Sequence, residues 1–231
     1  ILFFKYTITG LAAGVRLTSN DMLHKGDWIT VKSVDANGIV EDMSLTTVKV
    51  RNFDNTIVTI SPITLVNGSF QNWIGMQKSG GRRVKRVVYF DFRSVRLVDE
   101  TLKRNLLAKH FATEDSFKLK ASLKKAIDKD IQEGKDIEDL KNPAALAPTN
   151  LQLYRKFMEK YLRQRPEVNT DLTLMVRHME ATQCGLPVEF YFFIKDKVWV
   201  NYEHILADIM EHAYALANEF GLKIYEQYPE Q

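Results

Sequence analysis

GDWITVKSVDANGIVEDMSLTTVKVRNFDNTIVTISP, residues 26–62, is the stretch that decides the fold. Trp28-Ile29-Thr30-Val31 alternates apolar and polar side chains, the period of a half-buried strand. Asp35-Ala36-Asn37-Gly38 reads as a turn, because Asn-Gly tolerates positive φ. Residues 39–43 and 46–51 read as strands, and Asn52-Phe53-Asp54-Asn55 turns the chain again. Residues 56–60 return, and Pro62, which lacks a backbone donor, ends that strand. With a further short strand before Trp73, this makes about five short strands in roughly 50 residues, the signature of a small closed or nearly closed barrel.

Upstream, residues 1–24 lack proline and read as helix. Gly10, Ala12, Ala13 and Gly14 form a small-residue stretch in it. Each glycine costs a helix about 1 kcal/mol relative to alanine, so two within one turn need a reason. Close helix–helix approach is one; a frayed or ordinary N-terminal core helix is the other. The chain opens mid-pattern at Ile-Leu-Phe-Phe and is expected to be a fragment. Lys5 and Arg16 interrupt the opening segment, and no apolar run reaches the roughly 18–20 residues of a lipid-exposed span.

Downstream, Gly75, Ser79, Gly80 and Gly81 mark a hinge. Residues 84–92 read as a strand with basic residues at its start, and 95–141 as charged helix. Lys124/Asp128 and Lys129/Glu133 have helical ion-pair spacing. Thr149 or Asn150 caps a helix over 151–163, which Pro166 closes. Strands follow at 172–178 and 187–194, with Gly185 turning between them. Ile205, Leu206, Ile209, Met210, Ala213, Leu216, Ala217 and Phe220 fall on one helix face, and Gly221 ends that helix. Residues 223–225 begin a last strand. The order from Val84 is β-α-β-β-α-β, the split βαβ pattern, with the charged helices as an insertion.

The chain has 231 residues, net charge +3 and a single cysteine, Cys184. That length accommodates roughly one to three domains. One cysteine excludes an internal disulfide framework. The histidines are His24, His110, His178, His204 and His212; the last two share a helix but lie two turns apart, too far to chelate one metal. Gly80-Gly81-Arg82 lacks the Lys-Ser/Thr ending of a phosphate loop. No cofactor, metal site or enzymatic activity is expected. Arg82, Arg83, Lys85 and Arg86, near Trp73 and Tyr89, form the one candidate nucleic-acid footprint; a solvated strand edge has the same composition.

A family resemblance joins these parts. Leu11-Ala12-Ala13-Gly14-Val15, Gly26-Asp27, Gly38-Ile39-Val40-Glu41, Thr46-Thr47 and Asp54-Asn55 resemble the small-conductance mechanosensitive channel (MscS) family. Leu174-Met175-Val176-Arg177 and residues 199–211 are similar to its last domain. Asn20-Asp21-Met22-Leu23, Val50-Arg51-Asn52-Phe53-Asp54-Asn55, Ser79-Gly80-Gly81-Arg82-Arg83 and Gly185-Leu186-Pro187 are similar to its miniconductance, YbdG-like branch.

The resemblance implies a pore-lining transmembrane helix segment (1–24), an all-β Sm-like barrel (25–75) and an α+β ferredoxin-like vestibule domain (76–231, helical insertion about 95–165). It implies a tension-opened channel that releases ions and small solutes on hypo-osmotic shock. The subunit would be multi-pass in a bacterial inner membrane, in a homo-oligomer expected to be a heptamer. Its partners would be lipids and permeating ions, with no nucleic acid. Alignment places a gate leucine at Leu2. Gly10, Ala13 and Gly14 would serve pore-helix packing or hinging, and Arg16 and Asp27 would mark the membrane–cytoplasm junction. The usual kink glycine aligns with Tyr6, so a kink would use Gly10 or Gly14. The reading from another class is a soluble Sm-like nucleic-acid-binding or scaffold module.

Overall fold

Alternating burial builds the first sheet. Ile29, Val31, Ala36, Val40, Val48, Val50 and Ile60 are buried, while their sequence neighbours point outward. The computed structural model describes residues 2–118, 125, 129, 132 and 147–227, with 2–7 described as backbone alone. The chain divides into two units, Ile1–Ser79 and Gly80–Gln231.

In the first unit, β1 (Trp28–Val31), β2 (Ala36–Met43), β3 (Val48–Asn52), β4 (Ile57–Ile60) and β5 (Gln71–Asn72) form one antiparallel sheet in the order β4-β3-β2-β1-β5. Helices α1 (Leu2–Ser19) and α2 (Pro62–Asn67) pack together, and Leu17 and Leu65 join Leu23 in the same core as the strands. A register shift between Val40 and Asp42 bends β2. A short helix, α3 (Ile74–Lys78), follows β5.

Two expectations change here. Asn37-Gly38 is not a turn; it lies inside β2. The reversal falls earlier, in a 3-10 turn at Lys32–Val34 completed by Asp35 at φ 51. Asp adopts this left-handed conformation nearly as readily as Asn, so the two sites compete on sequence alone. Gly38 serves packing instead: a Cβ there would sit 1.9 Å from the Arg51 carbonyl oxygen. Asn37 Oδ1 accepts from Trp28 Nε1 and Thr30 Oγ1, both at 3.0 Å. Pro62 ends β4 as expected, but it does so by occupying the first turn of α2, where its missing N–H costs nothing.

In the second unit, β6 (Arg82–Phe90), β7 (Met175–His178) and β8 (Leu186–Ile194) pair antiparallel in the order β6-β8-β7. An isolated bridge pairs Ile224 with Phe90 on the other side of β6. Helices α4 (Glu100–Ala108), α5 (Asn150–Gln164) and α6 (Trp199–Glu219) complete the β-α-β-β-α-β order. Leu151, Tyr154, Met158 and Leu162 of α5 lie in the core, so α5 is the crossover helix of the motif and not part of an addition. The strand expected from 172 begins at Met175, and the one expected at 223–225 is a single bridge. Of the expected helix over 95–141, the described part holds α4, which gives way at His110, φ 58. The expected Lys124/Asp128 and Lys129/Glu133 pairs lie outside the described residues.

Thr149 caps α5, accepting from Gln152 N at 3.1 Å. Asn150 is fully buried; its amide donates to the carbonyls of Ser94 (2.9 Å) and Phe220 (3.1 Å) and accepts from Arg96 N–H (3.0 Å). The expected face of α6 is the buried one: Leu206, Ile209, Met210, Ala213 and Ala217 are buried, with Ile205 and Leu216 packed beside them. Tyr154 stands between Phe90 and Phe220 and donates its hydroxyl to the Ala213 carbonyl at 2.7 Å.

Burial pushes the Tyr154 phenol well above its ordinary value, and burial raises Tyr161 and Tyr202 in the same direction. A raised folded-state value means these groups stabilise the fold fully below the unfolded tyrosine value of about 10 and progressively less above it. Melting temperature should therefore fall as pH rises past about 10. In Tyr154→Phe that slope should be shallower, at a cost of about 1 kcal/mol at neutral pH from the lost hydrogen bond. Thermal melts of both proteins from pH 7 to 11 check this.

Candidate functional site at the end of the first helix

Helix α1 turns a small-residue face inward. Ala13, Gly14 and Leu17 are buried, whereas Ile8, Leu11, Ala12, Val15 and Arg16 are exposed. Gly14 lies directly on the link between β2 and β3: a Cβ added there would sit 2.3 Å from the Leu45 carbonyl oxygen and 2.9 Å from its Cα. That link is stiff. Ser44 N–H donates to the Thr47 carbonyl at 2.8 Å, and Ser44 Oγ accepts from the N–H groups of Thr46 (3.3 Å) and Thr47 (3.0 Å).

A second fastening follows where the helix runs into the sheet. Met22 N–H donates back to the Leu17 carbonyl at 3.1 Å, and Leu23 is fully buried. Asp27, 7% exposed, accepts from His24 N–H at 3.0 Å and from Asn72 Nδ2 at 2.8 Å. Asn72 also donates to the Met22 carbonyl at 3.3 Å and accepts from Ile74 N–H at 2.9 Å. One carboxylate and one carboxamide thus tie the end of α1, the start of β1 and the end of β5. Hydrogen bonds to a charged acceptor of this kind are the stronger sort.

The expected site residues distribute as follows. Gly14 meets the β2–β3 link of its own chain, and Ala13 is buried. Gly10 is partly exposed, and a Cβ there would have nothing within 4 Å. Helix α1 runs unbroken through both glycines. Leu2 lies in α1, and its side chain is outside the described residues. Arg16 is exposed and Asp27 is a buried acceptor, so the two do not form one charged cluster. Leu45 and Asn72 escaped the sequence reading. The Ser-Leu-Thr-Thr turn has a recognisable hydroxyl-turn composition, but nothing local marks Leu45 as the partner of a helix glycine.

Among the described residues, no helix is long and apolar enough to cross a membrane. No group of His, Cys, Asp or Glu among them is arranged to hold a metal ion. The basic run on β6 splits between the two faces of its sheet, as the strand period of two requires. Arg82 lies over the Tyr202 ring at 4.3 Å and Arg86 faces Glu203 at 4.0 Å on the helix side. Lys85 faces Glu189 at 3.7 Å on the other. Trp73 is stacked on Trp28 at 4.8 Å in the first unit. Within β6 the basic side chains thus do not form a single patch.

Residues 6–75 match the family model described as the mechanosensitive ion channel, beta-domain. Most of the first unit is therefore similar to the β-domain of mechanosensitive ion channels. Solved structures share the fold of nearly the whole chain. Arabidopsis thaliana MSL1, by cryo-EM, matches with TM-score 0.60 and 10% identity over 95% of this chain and 59% of that one. Helicobacter pylori MscS in its closed state matches with TM-score 0.59 and 12% identity over 100% of this chain and 66% of that one. The chain thus spans about three fifths to two thirds of the length of these structures.

Gly14→Ala should destabilise the chain by about 1–3 kcal/mol, because the new methyl meets rigid backbone. Gly10→Ala should be neutral or stabilising by up to about 1 kcal/mol, because it improves helix propensity in open space. Urea melts of the two variants should move in opposite directions. Asn72→Ala removes a donor from a buried carboxylate and should cost about 1–3 kcal/mol in the same assay.

Proposed function

We propose that the chain is part of a mechanosensitive ion channel subunit, opened by membrane tension to release ions and small solutes on hypo-osmotic shock. The observation that carries this is the channel β-domain match over residues 6–75, which takes in α1 from Tyr6 onward together with the sheet it feeds. The domains follow the sequence reading: 1–24 as the end of the pore-lining helix, 25–75 as an Sm-like barrel, 76–231 as the vestibule domain. The subunit sits in a bacterial inner membrane as a multi-pass protein of the YbdG-like branch, in a homo-oligomer of seven, in contact with lipids and permeating ions.

Leu2 lines the gate, where an apolar constriction blocks conduction by expelling water. Tension favours the state of larger in-plane area and so shifts a pre-existing equilibrium. The exposed apolar side of α1, with Ile8 64%, Leu11 44% and Val15 50% exposed, supports contact with neighbouring copies of the same helix. Gly10 leaves room for such an approach. Ala13 and Gly14 transmit movement of the helix to the sheet through the Leu45 carbonyl. Arg16 and Asp27 flank the level at which helix gives way to barrel.

The test is survival of osmotic down-shock in bacteria stripped of their own mechanosensitive channels. Expression of the full-length protein should raise survival several-fold over an empty vector. Leu2→Ser, which hydrates the gate, should slow growth before any shock. No protection despite confirmed membrane insertion would overturn the reading. Normal growth of Leu2→Ser alongside protective wild type would remove Leu2 from the gate.

A further inference from the structure

A cavity of about 160 Å³ in the second unit lies where α4 ends and the chain reverses against α5. His110, at φ 58, makes the reversal. The floor is apolar: Phe111, Leu153 and Phe157, with the two phenylalanine rings edge-to-face at 5.2 Å. The polar lining is His110, Thr113, Ser116, Lys156 and Lys160. Among the described residues no carboxylate lines it.

The charge arrangement is unusual for a structural surface. Lys156 and Lys160 stand one turn apart on α5, and like charges at this spacing destabilise a helix. Among the described residues neither lysine has an ion-pair partner. Glu159, between the two lysines, accepts from Val176 N–H at 2.9 Å, and the acids beside Thr113 and Ser116 are engaged elsewhere: Glu114 faces Lys103 at 3.9 Å and Asp115 faces Lys118 at 2.5 Å. Thr113 and Ser116 hold each other in a capping box, with Thr113 N–H donating to Ser116 Oγ at 3.1 Å and the two hydroxyl oxygens 3.3 Å apart. This fixes their hydroxyls at the cavity wall.

We propose that this cavity binds a small oxyanion of the phosphate class, with Lys156 and Lys160 supplying the charge and His110, Thr113 and Ser116 supplying hydrogen bonds. A tetrahedral oxyanion accepts from several donors at once, and charge-assisted bonds of this type are strong. A half-enclosed wall with an aromatic floor lowers the local dielectric and raises the return on each. The apolar floor suits a phosphate ester with a short carbon body, so the phosphate could come from a soluble phosphomonoester or from a lipid headgroup.

The test uses the full-length protein in detergent, with inorganic phosphate, glycerol phosphate and dihexanoyl phosphatidic acid as separate probes. Binding is read by phosphorus NMR line broadening at fixed ionic strength. Saturable binding should weaken at least about tenfold in Lys156→Ala/Lys160→Ala, persist in Lys156→Arg/Lys160→Arg, and be unchanged by Lys49→Ala on β3. Preference for glycerol phosphate assigns a soluble ligand, and preference for the lipid assigns a headgroup. Absence of saturable binding by all three probes, or equal binding by wild type and the double alanine variant, overturns the proposal. Circular dichroism of each variant separates lost binding from lost folding.

Discussion

The contact of Gly14 with the Leu45 carbonyl is the constraint on which the first unit depends. It brings helix backbone onto the backbone of the β2–β3 link with no side chain between them, a separation that only glycine permits. Everything around it enforces that approach. Leu17 and Ala13 bury their side chains beside it, the Ser44 hydroxyl stiffens the turn beneath it, and the Asp27–Asn72 pair holds the chain just past the helix end. A helix fastened at one end in this way moves with the sheet. That is the property a pore-helix segment needs if force on the helix is to reach the domain below.

The second unit rests on a different principle. Its sheet is covered by helices on one face, and its core is dominated by aromatic packing around Tyr154, Phe90 and Phe220. Its buried polar groups are served unevenly: Arg155 Nε, Tyr161 Oη, Arg165 Nε, Glu167 Oε2 and Glu189 Oε2 make no hydrogen bond, whereas the Asn150 amide is fully engaged. The Asn150 side chain bonds Ser94 and Arg96 of the stretch after β6 and Phe220 at the end of α6, which fixes where α5 begins relative to both. Such a network specifies one arrangement of the crossover because any shift strands a buried amide.

Much of this was legible in the sequence because it follows from periodicity. Alternation marked the strands around Val31, Val50 and Ile60, and the 3.6-residue stripe from Ile205 to Phe220 marked α6. Turn position was less legible: Asn37-Gly38 and Asp35 offer similar turn chemistry, and only the approach of Arg51 decides that Gly38 belongs in a strand. The small residues of α1 announced a close contact without naming its partner. Sequence reasoning took that partner to be another helix; within its own chain Gly14 meets the Leu45 carbonyl, Ala13 is buried and Gly10 stays open. Asp27 read as a junction charge, whereas its hydrogen bond to Asn72 joins residues far apart in sequence and leaves no local trace.

Tension response is the central claim, and a patch-clamp recording addresses it most directly. The full-length protein would be reconstituted in liposomes and suction ramped while current is recorded. The account predicts stepwise currents that appear at a reproducible tension and close on release. Silence up to patch rupture, with insertion confirmed, would contradict it.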